Sequence, residues 1–493
     1  MSVPQPIPKS ARQHLRIIAV VFVLTRLFAH LNGVRFAAER LFVDWQFLDP
    51  TLLQHHLFQS LLYLHTQPPL MNLFFGLCLK LTPNHWPTLA HAIYCTLGLL
   101  AWLALYTVAV RNRVPHRFAL LFTLVALCNP SAILFESEPL YTNVVFCLLL
   151  FAAFFFDRFL RTRSPNDATA LLALLTTLVL SRASFQLLWF LVIACCILKL
   201  TPRQNLRRTV TVAILCTAFI TSVYAKNYIL FRSFNTSSWM GMNLAKGFSE
   251  TDRDPDIQRL LAEGKLPPIW AVHTFSDISA YSALVPPPPP TGAPAADALT
   301  FTNGENNFNN TAYVSISKAY LGGYLKLWRY SPHTVVLKWI KAWKDYFLPT
   351  SQWSALLDPD NEQRLETADR RYRALFCCSL EPLNPLKRPG EVLTHHTTKQ
   401  ILLSLCWPAV LVTLLALALL LYPPLLRWSA SNDTQRRTLL LFLTLNFLFT
   451  AALGNSVEIG ENMRFRYEAQ GLALLIACIV LGRILNALQA RRA

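Results

Sequence analysis

The amino-acid sequence predicts an all-α polytopic membrane protein with about ten transmembrane helices. It also predicts a large extracytoplasmic insertion, whose own fold (α or α/β) it leaves open. Three observations lead there. Of 493 residues, 53% are hydrophobic and only 15% charged, against about a quarter charged in a soluble globular protein. The apolar residues fall in long runs, giving a mean hydropathy of +0.35. The net charge of +18 is concentrated in short clusters between runs, as in topogenic cytoplasmic loops. A nucleic-acid partner would need a basic face on a folded domain, and the charge is accounted for without one.

The first apolar run, 15–31, is flanked by Lys9, Arg12 and Arg16, and no small-residue cleavage site follows. It is expected to stay as the first transmembrane helix. Further runs lie at 87–110, 118–134, 139–157, 168–181, 184–199, 208–231, 400–426, 437–453 and 467–483. The stretch 168–199 is short for two full spans but is bounded on both sides by basic residues, Arg161 and Arg163 before it and Lys199, Arg203, Arg207 and Arg208 after it. An even number of crossings follows, with a tight hairpin turning at Ser181 and Arg182.

The remaining basic clusters agree: Arg111, Arg113 and Arg117; Arg427, Arg436 and Arg437; and Arg483, Arg491 and Arg492. All fall on one side if both termini are cytoplasmic, an arrangement that suits a bacterial inner membrane. Three parts result: an N-terminal membrane module, 1–231; an extracytoplasmic segment, 232–398; and C-terminal membrane helices, 399–493. The middle segment holds a proline run, 286–290, and a polar stretch, 303–310, both expected to be extended or mobile. Trp328, Trp339 and Trp343 suggest an interfacial helix within 320–347.

The 11 cysteines are mostly inside apolar runs and read as small buried hydrophobes. Cys377 and Cys378 stand adjacent in a polar region. There is no Cys/His ligand spacing, and the adjacent His55 and His56 do not suit a shared metal. No metal is expected. Asn235-Thr236-Ser237 and Asn309-Asn310-Thr311 match the glycosylation acceptor pattern, which has meaning only in a secretory host.

Ionisable residues near spans gather on the non-cytoplasmic face, where such groups tend to be functional. The first loop, 32–86, carries Asp44, Asp49, His65 and Gln67, the last followed by Pro68-Pro69-Leu70. A short turn carries Glu136 and Glu138. Arg182 caps the hairpin, Lys226 ends a span, and Glu461, Arg464 and Arg466 lie at the last turn. Cations beside a carboxylate at one membrane face suit a substrate with a phosphate head and a lipid tail. The carboxylate would take a proton from an incoming hydroxyl.

Each residue also has a plainer reading. Asp44 could be a cap, and Asp49-Pro50 is a good helix start. Glu138 before Pro139 suits a helix N-terminus. His65 could be a hydrogen-bonded interfacial residue, and Arg464 and Arg466 outer-leaflet anchors. Arg26, at the outer end of the first span, is expected to snorkel.

An early loop Asp followed by Pro-Pro-Leu opening an apolar helix resembles the GT-C glycosyltransferases, including protein O-mannosyltransferases and lipid A aminoarabinose transferases. The resemblance implies a polytopic fold with the first-loop acid as catalytic base; Asp44 matches the spacing best and Asp49 is the alternative. It places Glu136 and Glu138 at a second acidic position, and Arg464 and Arg466 at a late basic motif that binds lipid phosphate. Gln67 stands where the aminoarabinose transferases carry lysine, and Asp44-Trp45 where protein mannosyltransferases carry an acidic pair.

The implied activity is inverting transfer of a sugar from a polyprenyl-phosphate donor to an acceptor hydroxyl of a glycan, lipid or protein, with no cofactor required. Arg182 and Lys226 would join the late arginines on the phosphate. The alternatives are a lipid-linked-saccharide transporter or flippase, and a non-catalytic envelope assembly protein. A transporter would show spans broken in matching halves, and the sequence has no internal repeat.

Overall fold

A computed structural model describes residues 9–248, 254–352, 357–380, 398–431, 433–460 and 462–491. These residues are helical and form no strand; the only β-pairing is an isolated bridge between Thr300 and Asn306.

Six helices are long and apolar enough to cross a bilayer: Lys9–Leu31, Trp86–Arg111, Tyr141–Thr162, Arg203–Phe231, Thr434–Val457 and Asn462–Ala490. Counting each of two bent pairs as one span gives up to eight candidates among the described residues, short of the expected ten. His116–Leu127 bends by 58° into Pro130–Glu136, and Trp407–Leu421 bends by 109° into Pro423–Ser429. Proline opens the second half of each pair because it cannot donate the hydrogen bond that would continue the first half. At the first break Asn129 accepts from the Ser131 amide at 3.0 Å and restarts the helix.

The other two expected spans are the helices Pro165–Ser181 and Leu187–Leu200. At 17 and 14 residues they rise only about 25 and 21 Å, short of a bilayer core. They form the hairpin that charge parity called for, with Arg182 at its turn. At its basic end the two nearby acids are paired: Asp157 with Arg161 at 2.9 Å and Asp167 with Arg158 at 3.0 Å.

Arg26 does not snorkel. Its guanidinium donates to both Glu136 oxygens at 2.7 Å and to the Leu127 carbonyl at 2.9 Å, and lies over the Phe22 ring. Glu136 is thereby committed to stapling the first helix to the broken span. Gly98 makes room for the pair, since a Cβ there would stand 2.6 Å from Glu136 Oε1.

Segment 232–398 divides. Its earlier part has an apolar core of its own, built on Trp239, Met242, Phe248, Trp270, Tyr281, Tyr313 and Tyr320. The helix Pro359–Tyr372 instead packs on Pro130–Glu136, and its Leu365 joins the core of the membrane helices. Asn361 on this helix exchanges two hydrogen bonds with the Arg35 backbone, at 3.0 and 2.8 Å. The stretch expected to be interfacial is two helices, Ala312–Tyr330 and Pro332–Tyr346, broken at Ser331-Pro332, with Trp328 and Trp339 in edge contact.

The polar stretch 303–310 is a fastener rather than a loose excursion. Asn307 donates to the Ala295 and Ala298 carbonyls, and Asn309 to those of Ala295 and Tyr63. Asn309 Oδ1 accepts from the His65 amide at 3.0 Å and the Thr66 hydroxyl at 3.1 Å. Asn309 is only 3% exposed, so the second glycosylation pattern offers no accessible acceptor.

Removing one partner of a buried ion pair strands the other charge, whereas replacing both need not. Arg26→Met should therefore cost about 3–5 kcal/mol, read as reduced thermal stability of the detergent-purified protein. Arg26→Met combined with Glu136→Met should recover most of that loss. Additive losses would show that the two side chains do not act as a pair.

Candidate functional site

Six parts of the chain meet around one cavity of about 330 Å³. The first loop supplies Trp45, Gln46 and Gln67, and the hairpin turn supplies Arg182. The start of Tyr141–Thr162 supplies Tyr141, and the start of Asn462–Ala490 supplies Arg464 and Phe465. Residues 234–246 close it together with Glu458, at the end of Thr434–Val457.

Helix ends place the charged groups. The first turn of Tyr141–Thr162 directs the Tyr141 hydroxyl into the site, and both arginines donate to it, Arg464 Nη2 at 3.0 Å. Both guanidinium groups also stack near the Tyr141 and Phe465 rings, with Arg182 4.2 Å from the Tyr141 centroid and Arg464 5.1 Å from it. Behind them Glu468 Oε1 lies 3.4 Å from Arg182 Nε. Lys246 adds a third cation to the wall and is paired with Glu458 at 2.9 Å. Arg182 and Arg464 are buried, in a setting of low dielectric where their attraction for an anion is strengthened. Tyr141 carries no charge, and its hydroxyl orients both arginines.

A second cluster lies beside the cavity wall. Asp44 immediately precedes Trp45 and Gln46, is 4% exposed and lies 3.1 Å from Arg40. Glu138 is near both. Its Oε1 accepts from the Asp358 amide at 2.6 Å, while Oε2 is buried without a hydrogen-bond partner. Burial holds the Glu138 carboxyl well above the usual carboxylate range, and the nearby negative charge of Asp44 pushes the same way against the pull of Arg40. The first loop is pinned there by the Ala37 amide, which donates to the Ser137 carbonyl at 2.8 Å. Of the acids expected in the first loop and the second turn, Asp44 and Glu138 are thus neighbours, with Arg40 close to both.

Of the residues singled out from sequence, Gln67, Arg182 and Arg464 face the cavity, and Asp44 and Glu138 form the adjoining acidic cluster. The others are placed elsewhere. Asp49 caps Pro50–His55 by accepting from the Thr51 amide at 2.8 Å, and it also accepts from the Thr302 amide at 2.7 Å. Lys226 donates to the Leu61 and Leu64 carbonyls and secures the loop before Pro68. Glu136 is held by Arg26. Arg466 lies next to Cys406 and Tyr346, away from the cavity. Glu461 lies outside the described residues.

His65 is buried between Ser238, 2.7 Å from Nδ1, and the Asn309 carbonyl, 2.8 Å from Nε2. The carbonyl requires a donor, so Nε2 carries the proton and Nδ1 accepts from the serine. Burial, with Lys226 nearby, lowers its pKa to about 3. The ring is a neutral clip between the first loop and the Asn-rich fastener.

Sequence reasoning missed Arg40, Tyr141 and Gln46. Arg40 carried a signal, since it stands four residues before Asp44 around the helical turn Ala38–Phe42. Tyr141 was visible only as a polar aromatic opening an apolar run. Among the described residues, no group of three or more His, Cys, Asp or Glu side chains is arranged to hold a metal ion. No protein family, characterised protein or solved structure matches this chain.

The His65 clip gives a signed pH dependence. Its folded pKa of about 3 lies below the unfolded value of about 6.5. The unfolded chain takes up a proton first, so its contribution is complete above pH 6.5 and is lost as pH falls towards 3. The slope approaches about 1.4 kcal/mol per pH unit. Unfolding of His65→Gln, followed by thermal melts between pH 7 and 4, should show a shallower decline than the parent protein. An unchanged slope would mean that His65 is not held neutral.

Proposed function

We propose that this chain is an inverting, GT-C-type glycosyltransferase. It would move a sugar from a polyprenyl-phosphate donor to an acceptor hydroxyl on the extracytoplasmic face of a bacterial inner membrane, with both termini cytoplasmic. The observation that carries the reading is the convergence of Arg182 and Arg464 on the Tyr141 hydroxyl at the wall of one cavity. Two guanidinium groups fixed by a neutral phenol form a planar, multidentate anion site suited to a phosphate.

On this reading the arginines serve most when the glycosyl–phosphate bond breaks and negative charge grows on the departing lipid phosphate. They would supply this stabilisation without a cofactor. Asp44 is the residue we assign as base: it would take the proton of the acceptor hydroxyl as its oxygen attacks C1 from the face opposite the phosphate, inverting the centre. Arg40 lies 3.1 Å from Asp44 and balances its charge, and burial raises the pKa of the neighbouring Glu138. Asp49, with both oxygens engaged in structure, is the weaker candidate.

A second reading has one observation in its favour. The two sharply bent spans resemble the discontinuous helices that transporters place at their binding sites. A flippase for a lipid-linked saccharide would use the same phosphate site without consuming the donor.

Asp44→Asn should reduce donor turnover by at least about 100-fold while leaving polyprenyl-phosphate binding within a few-fold of the parent. Arg182→Gln and Arg464→Gln should each weaken that binding by about ten- to a hundredfold and flatten its salt dependence. These are measured on purified protein in nanodiscs with radiolabelled lipid. Parent-like turnover by Asp44→Asn rules out Asp44 as base, and transbilayer donor movement without glycosidic cleavage favours the flippase.

A further inference from the structure

The aromatic side of the cavity is constructed differently from its cationic side. Trp45 follows the candidate base directly in sequence, lines the cavity and is 45% exposed. Its ring stacks on Phe275, with centroids 5.3 Å apart and planes 28° apart, and leans on Phe308 at 4.7 Å. Phe275 meets Trp239 edge-on at 5.3 Å. One indole face is therefore backed by packed rings, while much of the residue stays open.

The backing is held in an unfavourable conformation. Phe275 has φ +59°, a left-handed value that bulky residues rarely adopt. Three buried tyrosines fix the strand of backbone around it. Tyr320 donates to the Val272 carbonyl at 2.7 Å, Tyr281 to that of His273 at 2.6 Å, and Tyr313 to that of Ser276 at 2.8 Å. Such over-determined strain is characteristic of binding sites.

The polar groups beside this platform point to what would lie on it. Gln46 is 9% exposed, lines the cavity, and its Nε2 has no hydrogen-bond partner. Asn235, also on the wall, has an unpartnered Oδ1. A buried, unpaired amide donor and amide acceptor, on residues that line the same cavity as an exposed aromatic face, match a ring that is apolar on its C–H faces and hydroxylated at its edge. A polyprenyl chain would leave both amides unsatisfied, at an energetic cost.

We propose that Trp45, backed by Phe275 and flanked by Gln46 and Asn235, is the acceptor subsite and that the acceptor is a saccharide, its pyranose ring stacked on the indole. This rests on the transferase reading above and narrows its acceptor from glycan, lipid or protein to a glycan. Stacking there would bring a sugar hydroxyl to the part of the cavity wall that adjoins Asp44, in the same cavity as the arginines that would hold the donor phosphate.

The test uses the full-length protein in nanodiscs and saturation-transfer NMR with defined pentasaccharides: β-glucan, α-mannan, α-glucan and chitin, with a Ser/Thr-rich peptide as comparison. At least one saccharide should bind through its ring C–H protons. Trp45→Ala should weaken it at least tenfold, Trp45→Phe by less than threefold, and Gln46→Ala about tenfold. Should Trp45→Ala fail to accumulate, Gln46→Ala and Trp45→Phe decide alone.

The inference is overturned if no saccharide binds the parent protein, or if the affinity is indifferent to Trp45 and Gln46. It is equally overturned if Trp45→Ala alters only membrane insertion, as for an interfacial anchor, or if the peptide binds through Trp45 instead. Saccharide binding that depends on Trp45, with polyprenyl-phosphate binding indifferent to Arg182, would sink the donor assignment alone. The converse result would sink this inference alone.

Discussion

Two guanidinium groups meeting on one phenol, inside a bundle of apolar helices, set the central constraint on this molecule. Buried cations require oriented partners, and here the hydroxyl of Tyr141 serves Arg182 and Arg464 together while Glu468 stands behind Arg182. The arrangement ties the tip of the short hairpin, the N-terminus of Tyr141–Thr162 and the beginning of the last helix to a common point. It also sets Arg182 and Arg464, with Lys246 and its partner Glu458, on the wall of the cavity they enclose. A bundle selected for stability alone would gain more from apolar residues at these positions, and the proposed phosphate site is the reading that gives these charges a use.

The same logic separates the structural acids from the candidate chemical ones. Glu136 is satisfied on both oxygens by Arg26, and Asp49 by the amides of Thr51 and Thr302. Glu138 keeps an unpartnered oxygen beside Asp44 and Arg40. The first loop is held at both ends, by the contacts of Asp49 to Thr302 and of His65 to Asn309 and by the Arg35 contacts to Asn361. Between these anchors lie Asp44, beside the cavity wall, and Trp45 and Gln46, which line the cavity. Segment 232–398 supplies the clamps, and much of the aromatic wall, from far along the chain.

How much of this was legible in the sequence follows from the range of the interactions. Apolar runs and basic clusters act locally, so the helices, the hairpin and the position of Arg182 at its turn could be read directly. The span count was less legible, because proline breaks two runs and two others form helices shorter than a bilayer core. The capping role of Asp49 was readable from Asp49-Pro50. The clip between His65 and Asn309 was not, since it joins residues 244 apart, and an Asn-rich stretch looks solvated until its amides find buried carbonyls. Arg26 was misread for the same reason: its partner Glu136 is 110 residues away. Arg464 and Arg466 were indistinguishable in sequence. Helical geometry separates them, since positions two apart point about 200° apart around the axis, so that one faces the cavity and the other the side near Cys406.

The central claim is that Arg182 and Arg464 act as one anion site. A double-mutant cycle on the affinity for polyprenyl phosphate tests it most directly, comparing Arg182→Lys, Arg464→Lys and the double variant, which keep the charge but remove the planar fork. The account predicts strong coupling, with the double variant binding at least about 1 kcal/mol tighter than the sum of the single losses implies. Strictly additive losses, or no loss in either single variant, would contradict it.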